Sequence, residues 1–435
     1  MKLSTESYKG VRDFYPEDQF VQNYIYSVWK KTVRSFGYEE YNASILEPSE
    51  LYKQKSGEEI ISEQTYTFKD RGDREVTLRP EMTPTLARMV AGKIHDLSFP
   101  LRWFSIPNLF RYEKPQRGRL REHWQLNVDF FGVQSVLADV EIITIAYKIM
   151  KAFGAKDDDF VIKINDRNIV NALYLKFGLD EEKSYKVSKI IDKKSKISED
   201  SFKETLNEIL GEKTSEFIRL LSKNEELLSS FEEKEKISKD LLNLIDGLKN
   251  AGIENVLFEP TLMRGFDYYT GIVFEVFDTN PENSRSVFGG GRYDDLLDIF
   301  GVKKVSAVGF GVGDVTTRDF LESHSLLPKY RPATDVFVCT LKEEFLTKAD
   351  ETARVLREKG INVSVDLSGK KVGDQIKTAN KQSIPYVLCI GEDEVKSGIF
   401  PLRNMETGEE KKVKIDEISQ IVKHDTDNLS RKADE

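Results

Sequence analysis

Between Thr65 and Phe131 four short stretches have strand character, Thr65–Lys69, Glu75–Arg79, Leu101–Phe110 and Trp124–Phe131, and only one, Thr83–Ala91, reads as a helix. Strands that follow one another with so few helices between them build an antiparallel sheet with helices attached. They argue against the regular strand–helix alternation of a doubly wound fold. The predicted class is α+β. Ahead of this region, apolar residues at helical spacing (Phe20, Tyr24 and Val28, with Val21, Ile25 and Trp29 beside them) predict a helix from about Pro16 to Phe36, stopping at Gly37. An extended segment from Tyr38 to Pro48 follows.

The rest of the chain changes texture twice. From Leu179 to Asn250 it is rich in Lys, Glu, Ser and Leu, has no Pro, and spaces apolar residues amphipathically (Phe217, Leu220, Leu221), which predicts a helical insertion between strands. Its charges are read as a solvated face, with nucleic-acid contact as the lesser reading. Strand character returns from Asn255 to Phe277, and a Gly-rich stretch runs from Val287 to Gly313. Pro328 to Pro332 reads as a linker, after which Asp335–Thr340, Glu343–Glu358, Val363–Asp366, Gly373–Gln382 and Tyr386–Ile390 alternate as β-α-β-α-β, a small α/β domain with a mostly buried sheet. The predicted division is residues 1–327 with the insertion at about 179–250, then 333–423, then a loose tail at 424–435.

A chain of 435 residues exceeds one ordinary core, in keeping with two or three domains. No run of roughly 18 apolar residues predicts a membrane span, and the N-terminus has acid at Glu6 and no apolar core of a secretory signal. The two cysteines, Cys339 and Cys389, sit in apolar strand-like runs and suit a reducing, cytoplasmic setting. A net charge of −9 argues against binding nucleic acid through overall charge, so any such contact must come from local basic patches. His95, His123, His324 and His424 are scattered and make no metal-ligand set. His123 is read as structural, with contact to a nucleotide or nucleic acid as the alternative.

No phosphate-binding G-x-x-x-x-G-K-[ST] loop is present, since Phe288-Gly289-Gly290-Gly291-Arg292 lacks the Lys-Ser/Thr ending. Phosphates would therefore have to be gripped by arginines on a sheet, whose rigid forks supply fixed positive charge where negative charge builds up. The densest such segment is Phe110-Arg111-Tyr112-Glu113-Lys114-Pro115-Gln116-Arg117-Gly118-Arg119-Leu120-Arg121-Glu122-His123-Trp124-Gln125, a strand, a basic loop and a strand. By composition alone it could be an exposed, solvated hairpin. A second string, Arg264-Gly265-Phe266-Asp267-Tyr268-Tyr269-Thr270-Gly271-Ile272-Val273-Phe274-Glu275, places an arginine and paired tyrosines before a β run. Tyrosine hydroxyls with a carboxylate can serve both nitrogens of an imidazole. Leu78-Arg79-Pro80-Glu81-Met82-Thr83 puts a carboxylate at a helix start, and Gln125-Leu126-Asn127-Val128-Asp129 puts Gln125 and Asp129 on one strand face with Asn127 between them.

Together these strings resemble the class II aminoacyl-tRNA synthetases, in the form seen in histidyl-tRNA synthetases, and the resemblance covers residues of about 7 to 423. It implies an antiparallel catalytic sheet flanked by helices, a helical insertion and a C-terminal anticodon-binding α/β domain. It also implies ATP with Mg²⁺, L-histidine and tRNA(His) as substrates, and a homodimer formed through the Pro16–Phe36 helix and the strand ending at Pro48. No protein-held metal is expected. Carried over, Arg111 and Arg264 are catalytic. Arg111, Glu113, Arg264 and Arg292 meet ATP, and Glu81, Thr83, Gln125, Asp129, Tyr268 and Tyr269 hold histidine. Gln116, Arg117, Arg119 and Arg121 face the tRNA acceptor end. Lys370, Lys371, Lys377 and Lys381, with Gln375 and Asn380, offer an edge for single-stranded bases. Two departures stand out: Asp129 where many bacterial members carry Glu, and Thr316 where the family places an arginine over the nucleotide. Arg318 lies two residues on, about 200° around a helix, so Arg292 or another basic residue would have to cover the γ-phosphate. Two alternatives share the fold: a regulatory subunit of ATP phosphoribosyltransferase, and a class II ligase for threonine, proline or glycine.

Overall fold

The computed structural model describes residues 3–53, 64–194, 197–231, 234–263, 268–283 and 285–423. It forms two compact units, Met1–Asp13 with Asn23–Leu327, and Phe14–Gln22 with Pro328–Glu435. The predicted tail, like Arg264 and Gly265, lies outside the described residues.

The first unit is organised by nine described strands: β1 (Glu39–Glu40), β5 (Leu101–Ser105), β6 (Asn108–Phe110), β7 (Glu122–Phe131), β8 (Phe160–Asp166), β9 (Val256–Phe258), β10 (Ile272–Asp278), β11 (Ser286–Arg292) and β12 (Ala307–Gly313). Their order is β1-β5-β7-β12-β11-β10-β8-β9, with β6 paired to β7. Every pairing from β5 to β8 is antiparallel; only the rim strands β1 and β9 join parallel. The region predicted as one strand, Leu101–Phe110, is two. Pro107, between β5 and β6, cannot donate a ladder hydrogen bond, so the strand breaks there. A small antiparallel sheet, β2 (Leu46–Pro48), β4 (Glu75–Leu78) and β3 (Tyr66–Lys69) in the order β2-β4-β3, stands beside the large one.

Helices cover the sheet. Pro16–Ser35 carries acids in its first turn and Arg34 in its last, which complements the helix dipole. It buries Ile25, Trp29 and Val33, spaced four apart on one stripe. Leu137–Ala152 is apolar nearly all round and buries Ile142, Ile143, Ile145, Ala146 and Ile149, the composition of a helix enclosed on most sides. The insertion is helical, as its texture predicts: Glu181–Asp192, Glu199–Leu210, Thr214–Ser222, Asn224–Ser229 and Lys234–Asn250. Asp180 and Ser198 cap two of these helices by accepting backbone N–H bonds. Phe217 stacks among Tyr174 and Phe177, which pins the insertion to the helix Arg167–Lys176 and its C-cap.

In the second unit β13 (Val336–Thr340), β14 (Val363–Val365) and β15 (Tyr386–Ile390) are parallel, with helices Leu346–Glu358 and Val372–Lys381 as crossovers. Alternate residues feed two cores: Val336, Val338, Leu388 and Ile390 pack with Ala349, Ala353 and Leu356, and Phe337, Cys339 and Val387 pack with Ala379. Burial on both faces explains the unbroken apolar runs. Two antiparallel strands, β16 (Ile399–Asn404) and β17 (Glu410–Lys414), extend the sheet to the order β14-β13-β15-β16-β17. They were not foreseen. Pro401 and the lysines of β17 disguise strands that bury only Phe400, Leu402 and Val413.

Candidate active site

The site begins where β4 ends. Arg79 is buried, donating from Nε to the Asn108 carbonyl (3.0 Å) and from Nη1 to the Ala43 carbonyl (2.8 Å). Its own carbonyl accepts from Phe110 N at 3.0 Å. These bonds fix the turn that follows, so Glu81 is buried with its carboxylate inward and Thr83 opens the helix Thr83–Gly92. Arg111, just beyond β6, donates from Nε to the Pro80 carbonyl at 2.8 Å and so stands on the same turn.

The opposite wall is β7. Its alternation brings Gln125, Asn127 and Asp129 to one face, with Gln125 Nε2 donating to Asn127 Oδ1 at 2.7 Å. Their side chains lean across β12, where Gly309 pairs with Asp129, Gly311 with Asn127 and Gly313 with Gln125. A Cβ on Gly309 would stand 2.4 Å from Asp129 Oδ1, and one on Gly311 2.2 Å from Gln125 Nε2. Glycine is demanded here by close approach, which accounts for a Gly-rich strand in the middle of a sheet.

Tyr268 and Tyr269 close the third side, both buried, their ring centroids 4.9 Å apart. Tyr268 donates to Glu81 Oε2 at 3.2 Å. Tyr293, which directly follows β11, is buried and donates to Asp129 Oδ1. Burial pushes the Asp129 carboxyl up to about 7, while the Tyr293 hydrogen bond works the other way. These elements enclose a cavity of about 120 Å³ bounded by Glu81, Thr83, Arg111, Gln125, Asn127, Asp129, Tyr268, Tyr269, Tyr293 and the Gly309–Gly311 segment. Its lining offers two carboxylates, two amides, three phenols and a guanidinium. That polarity suits a small zwitterion with a second N–H-bearing group.

Seven predicted residues thus converge: Glu81, Thr83, Arg111, Gln125, Asp129, Tyr268 and Tyr269. The other described candidates are placed elsewhere. Arg264 lies outside the described residues. Glu113 sits on the loop, with Oε2 3.4 Å from Arg119 Nη1 and Oε1 3.9 Å from Arg111 Nη1. Gln116, Arg117 and Arg119 are exposed on the loop. Arg121 is placed differently: it is buried at the loop's base, 4.0 Å over the Tyr112 ring, donating to Tyr8 Oη (3.1 Å) and the Glu113 carbonyl (3.2 Å). The Arg292 fork is engaged by Asp139, by the Ser135 carbonyl (3.2 Å) and by the Val133 carbonyl (3.1 Å), and Arg292 is not among the residues that bound the cavity. Burial with Arg111 and Arg12 nearby drives His123 down to about 3, so it is a neutral ring.

Thr316 lies in the first turn of Asp314–Ser323 and returns its hydroxyl to the Gly313 carbonyl at 3.2 Å, while Arg318 pairs with Glu322 one turn on. Asp314 itself is buried, bonded to Arg12 (2.6 Å) and Trp124 N (3.0 Å). Among the described residues no three His, Cys, Asp or Glu side chains cluster as a metal set. Tyr293 is the functional candidate that sequence reasoning passed over. Its only signal was position, a tyrosine at the end of the Gly-rich strand.

An antiparallel sheet with a polar cavity, an arginine in its lining and a basic loop that follows that arginine defines the catalytic architecture of a class II aminoacyl-tRNA synthetase. A family model described as "Histidyl-tRNA synthetase" matches residues 10–314, and one described as "Anticodon binding domain" matches residues 335–425. The chain belongs to the histidyl-tRNA synthetase family. It is 44% identical over 410 residues to the histidine–tRNA ligase of Leptospira biflexa, covering 93% of this chain and 94% of that one. With that of Pyrococcus horikoshii it is 35% identical over 432 residues, covering 96% and 99%. Among solved structures, histidyl-tRNA synthetase from a Nostoc species shares the fold with a TM-score of 0.83 at 24% identity, covering 97% of this chain and all of that one. A Bacillus halodurans protein titled as an ATP phosphoribosyltransferase regulatory subunit/histidyl-tRNA synthetase gives 0.74 at 25% identity, covering 89% and 99%.

Proposed function

We infer that the protein is a histidine–tRNA ligase, making histidyl-adenylate and pyrophosphate from histidine and ATP and passing the histidyl group to the 3′ end of tRNA(His). The observation that carries this reading is the convergence of Glu81, Gln125, Asp129, Tyr268, Tyr269 and Arg111 on one cavity. In this reading Glu81, with Thr83 and Gln125, takes the substrate ammonium. Asp129, with Tyr269 and Tyr293, takes the imidazole. The substrate carboxylate then points at Arg111, where an oxygen attacks the α-phosphorus and pyrophosphate leaves.

Catalysis by such a site is positioning and charge neutralisation, with no covalent enzyme intermediate. Arg111 is the described guanidinium at the reacting end. The sequence adds Arg264, four residues before Tyr268. Removing one preorganised donor of this kind costs roughly 10²–10³ in rate. Mg²⁺ would arrive as the counter-ion of ATP. A dimer through the Pro16–Ser35 helix, tRNA at the 112–120 loop and the C-terminal sheet, and a cytoplasmic setting for the free thiols Cys339 and Cys389 complete the reading. No helix among the described residues is long and apolar enough to cross a membrane.

The test is ATP–pyrophosphate exchange with each amino acid in turn. Exchange with histidine alone supports the reading; exchange with another amino acid and none with histidine sinks it.

A further inference from the structure

The basic loop between β6 and β7 is held at both ends. At its base Arg121 is buried, as described above. Further out the loop forms its own small hairpin: Gln116 N donates to the Arg119 carbonyl at 3.0 Å and Arg119 N to the Gln116 carbonyl at 2.9 Å. Arg117 and Gly118 are the two corner residues. Gly118 has φ of +75°, a corner that glycine takes without steric cost. This tip does not stand free. Arg285, just before β11 and 168 residues away in sequence, donates from Nη1 to the Arg117 carbonyl at 3.3 Å and from Nη2 to Gln116 Oε1 at 3.1 Å. On its other side the tip packs against the helix Asp314–Ser323, where a Cβ built on Gly118 would meet Asp319 Oδ2 and Thr316 Cγ2, both at 3.7 Å.

We propose that Arg285 is a positioning residue for the transfer step: its guanidinium fork fixes the tip of the loop in the shape that receives the tRNA acceptor end. This rests on the reading of the protein as a tRNA ligase. Lys114, Arg117 and Arg119 crowd like charge into one exposed segment, and an untethered segment of this kind spreads over many shapes. A partner that needs one of them must then meet the ordering cost at binding. Arg285 removes part of that cost beforehand by engaging a backbone carbonyl and an amide, groups that a planar fork reaches together and a lysine cannot. Arg285 does not border the histidine cavity, so its loss should leave histidine activation alone.

The experiment is steady-state kinetics on the full-length enzyme with histidine, ATP and a tRNA(His) transcript. For Arg285→Ala, KM for tRNA is expected to rise ~10-fold, while kcat and KM for histidine-dependent ATP–pyrophosphate exchange stay within about two-fold of wild type. Arg285→Lys should fall between the two, since it keeps the charge and loses the fork. In a double-mutant cycle, Gln116→Ala added to Arg285→Ala should cost less than the sum of the single effects. An unchanged tRNA KM, or an equal fall of exchange and charging, overturns the proposal. Absence of histidine exchange in the wild type would instead overturn the ligase reading.

Discussion

Glu81, Asp129 and Tyr268 keep 2%, 3% and 5% of their surface exposed, on strand ends and turns locked by backbone hydrogen bonds. Arg117 and Arg119, a few residues along from Arg111, are exposed on a loop whose tip is tied by one side chain. The two regions answer different demands. A small ligand offers few contacts, so its site has to be ordered in advance, with the supporting side chains too crowded to move. A large polyanion offers many, so a loop can be held lightly and adjust. Substitutions should therefore be sharp in the cavity and graded on the loop.

The largest break is expected from Gly309→Ala. Its new methyl would meet Asp129 Oδ1 at 2.4 Å and the Val128 carbonyl at 2.6 Å, and a paired strand backbone cannot yield. Exchange with histidine should drop at least ~10²-fold, as for loss of a key transition-state contact, with overpacking of about 1–3 kcal/mol visible as a lower Tm. If both assays match wild type, the close approach at β12 is not what the site depends on. Next comes Glu81→Gln, which keeps an acceptor for Tyr268 and removes the charge facing the ammonium. A lost charged hydrogen bond of about 1.5–3 kcal/mol converts to a roughly 10–150-fold higher KM for histidine, with Tm little changed.

A finer distinction uses pH. The Asp129 carboxyl, raised to about 7 by burial, is an anion above that pH and a neutral acid below it. The anion accepts an imidazole N–H more strongly than the neutral acid does, so kcat/KM for histidine should fall as pH drops from about 8 to 6. Tyr293→Phe removes the bond that favours the anion, so the carboxyl climbs further and the acid limb moves to higher pH, by about half a unit to one unit. Histidine's own imidazole titrates near 6.5 in both enzymes, so the difference between the two profiles isolates Asp129. A limb that stays in place, or moves to lower pH, would remove Tyr293 from this pair.

The smallest effect should come from Gly118→Ala on the loop. Contacts there are ordinary, at 3.7 Å, and only the φ of +75° is strained, a cost of about 1–2 kcal/mol. Charging should weaken by about ten-fold or less, while histidine exchange is unchanged. A loss as deep as that of Gly309→Ala would erase the contrast between the two regions.

Much of the cavity was legible because its signals are local. Gln125 and Asp129 share a strand face through the two-residue period, and Glu81 and Arg111 flank prolines and strand ends within short strings. The helical insertion announced itself by its texture. What was not legible depends on partners far along the chain. Arg292 is engaged by Asp139, which lies 153 residues earlier, and no local pattern encodes that pairing. Within one basic loop, sequence treats Arg117, Arg119 and Arg121 alike; burial under Tyr112 and Tyr8 is what separates the last from the others. Arg285 carries no motif at all, and its importance comes from where the loop tip happens to land. β16 and β17 escaped because an edge hairpin buries only one face and fills the other with lysine.

The central claim is that the Asp129 side of the cavity holds an imidazole and the Arg111 side a reacting carboxylate. A crystal structure with histidine and a non-hydrolysable ATP analogue tests it directly. One ring nitrogen should lie about 2.7–3.2 Å from an Asp129 oxygen, with the ammonium beside Glu81 and the carboxylate facing Arg111. Histidine bound outside this cavity, or with its ring against Arg111 and its carboxylate against Asp129, would contradict the account.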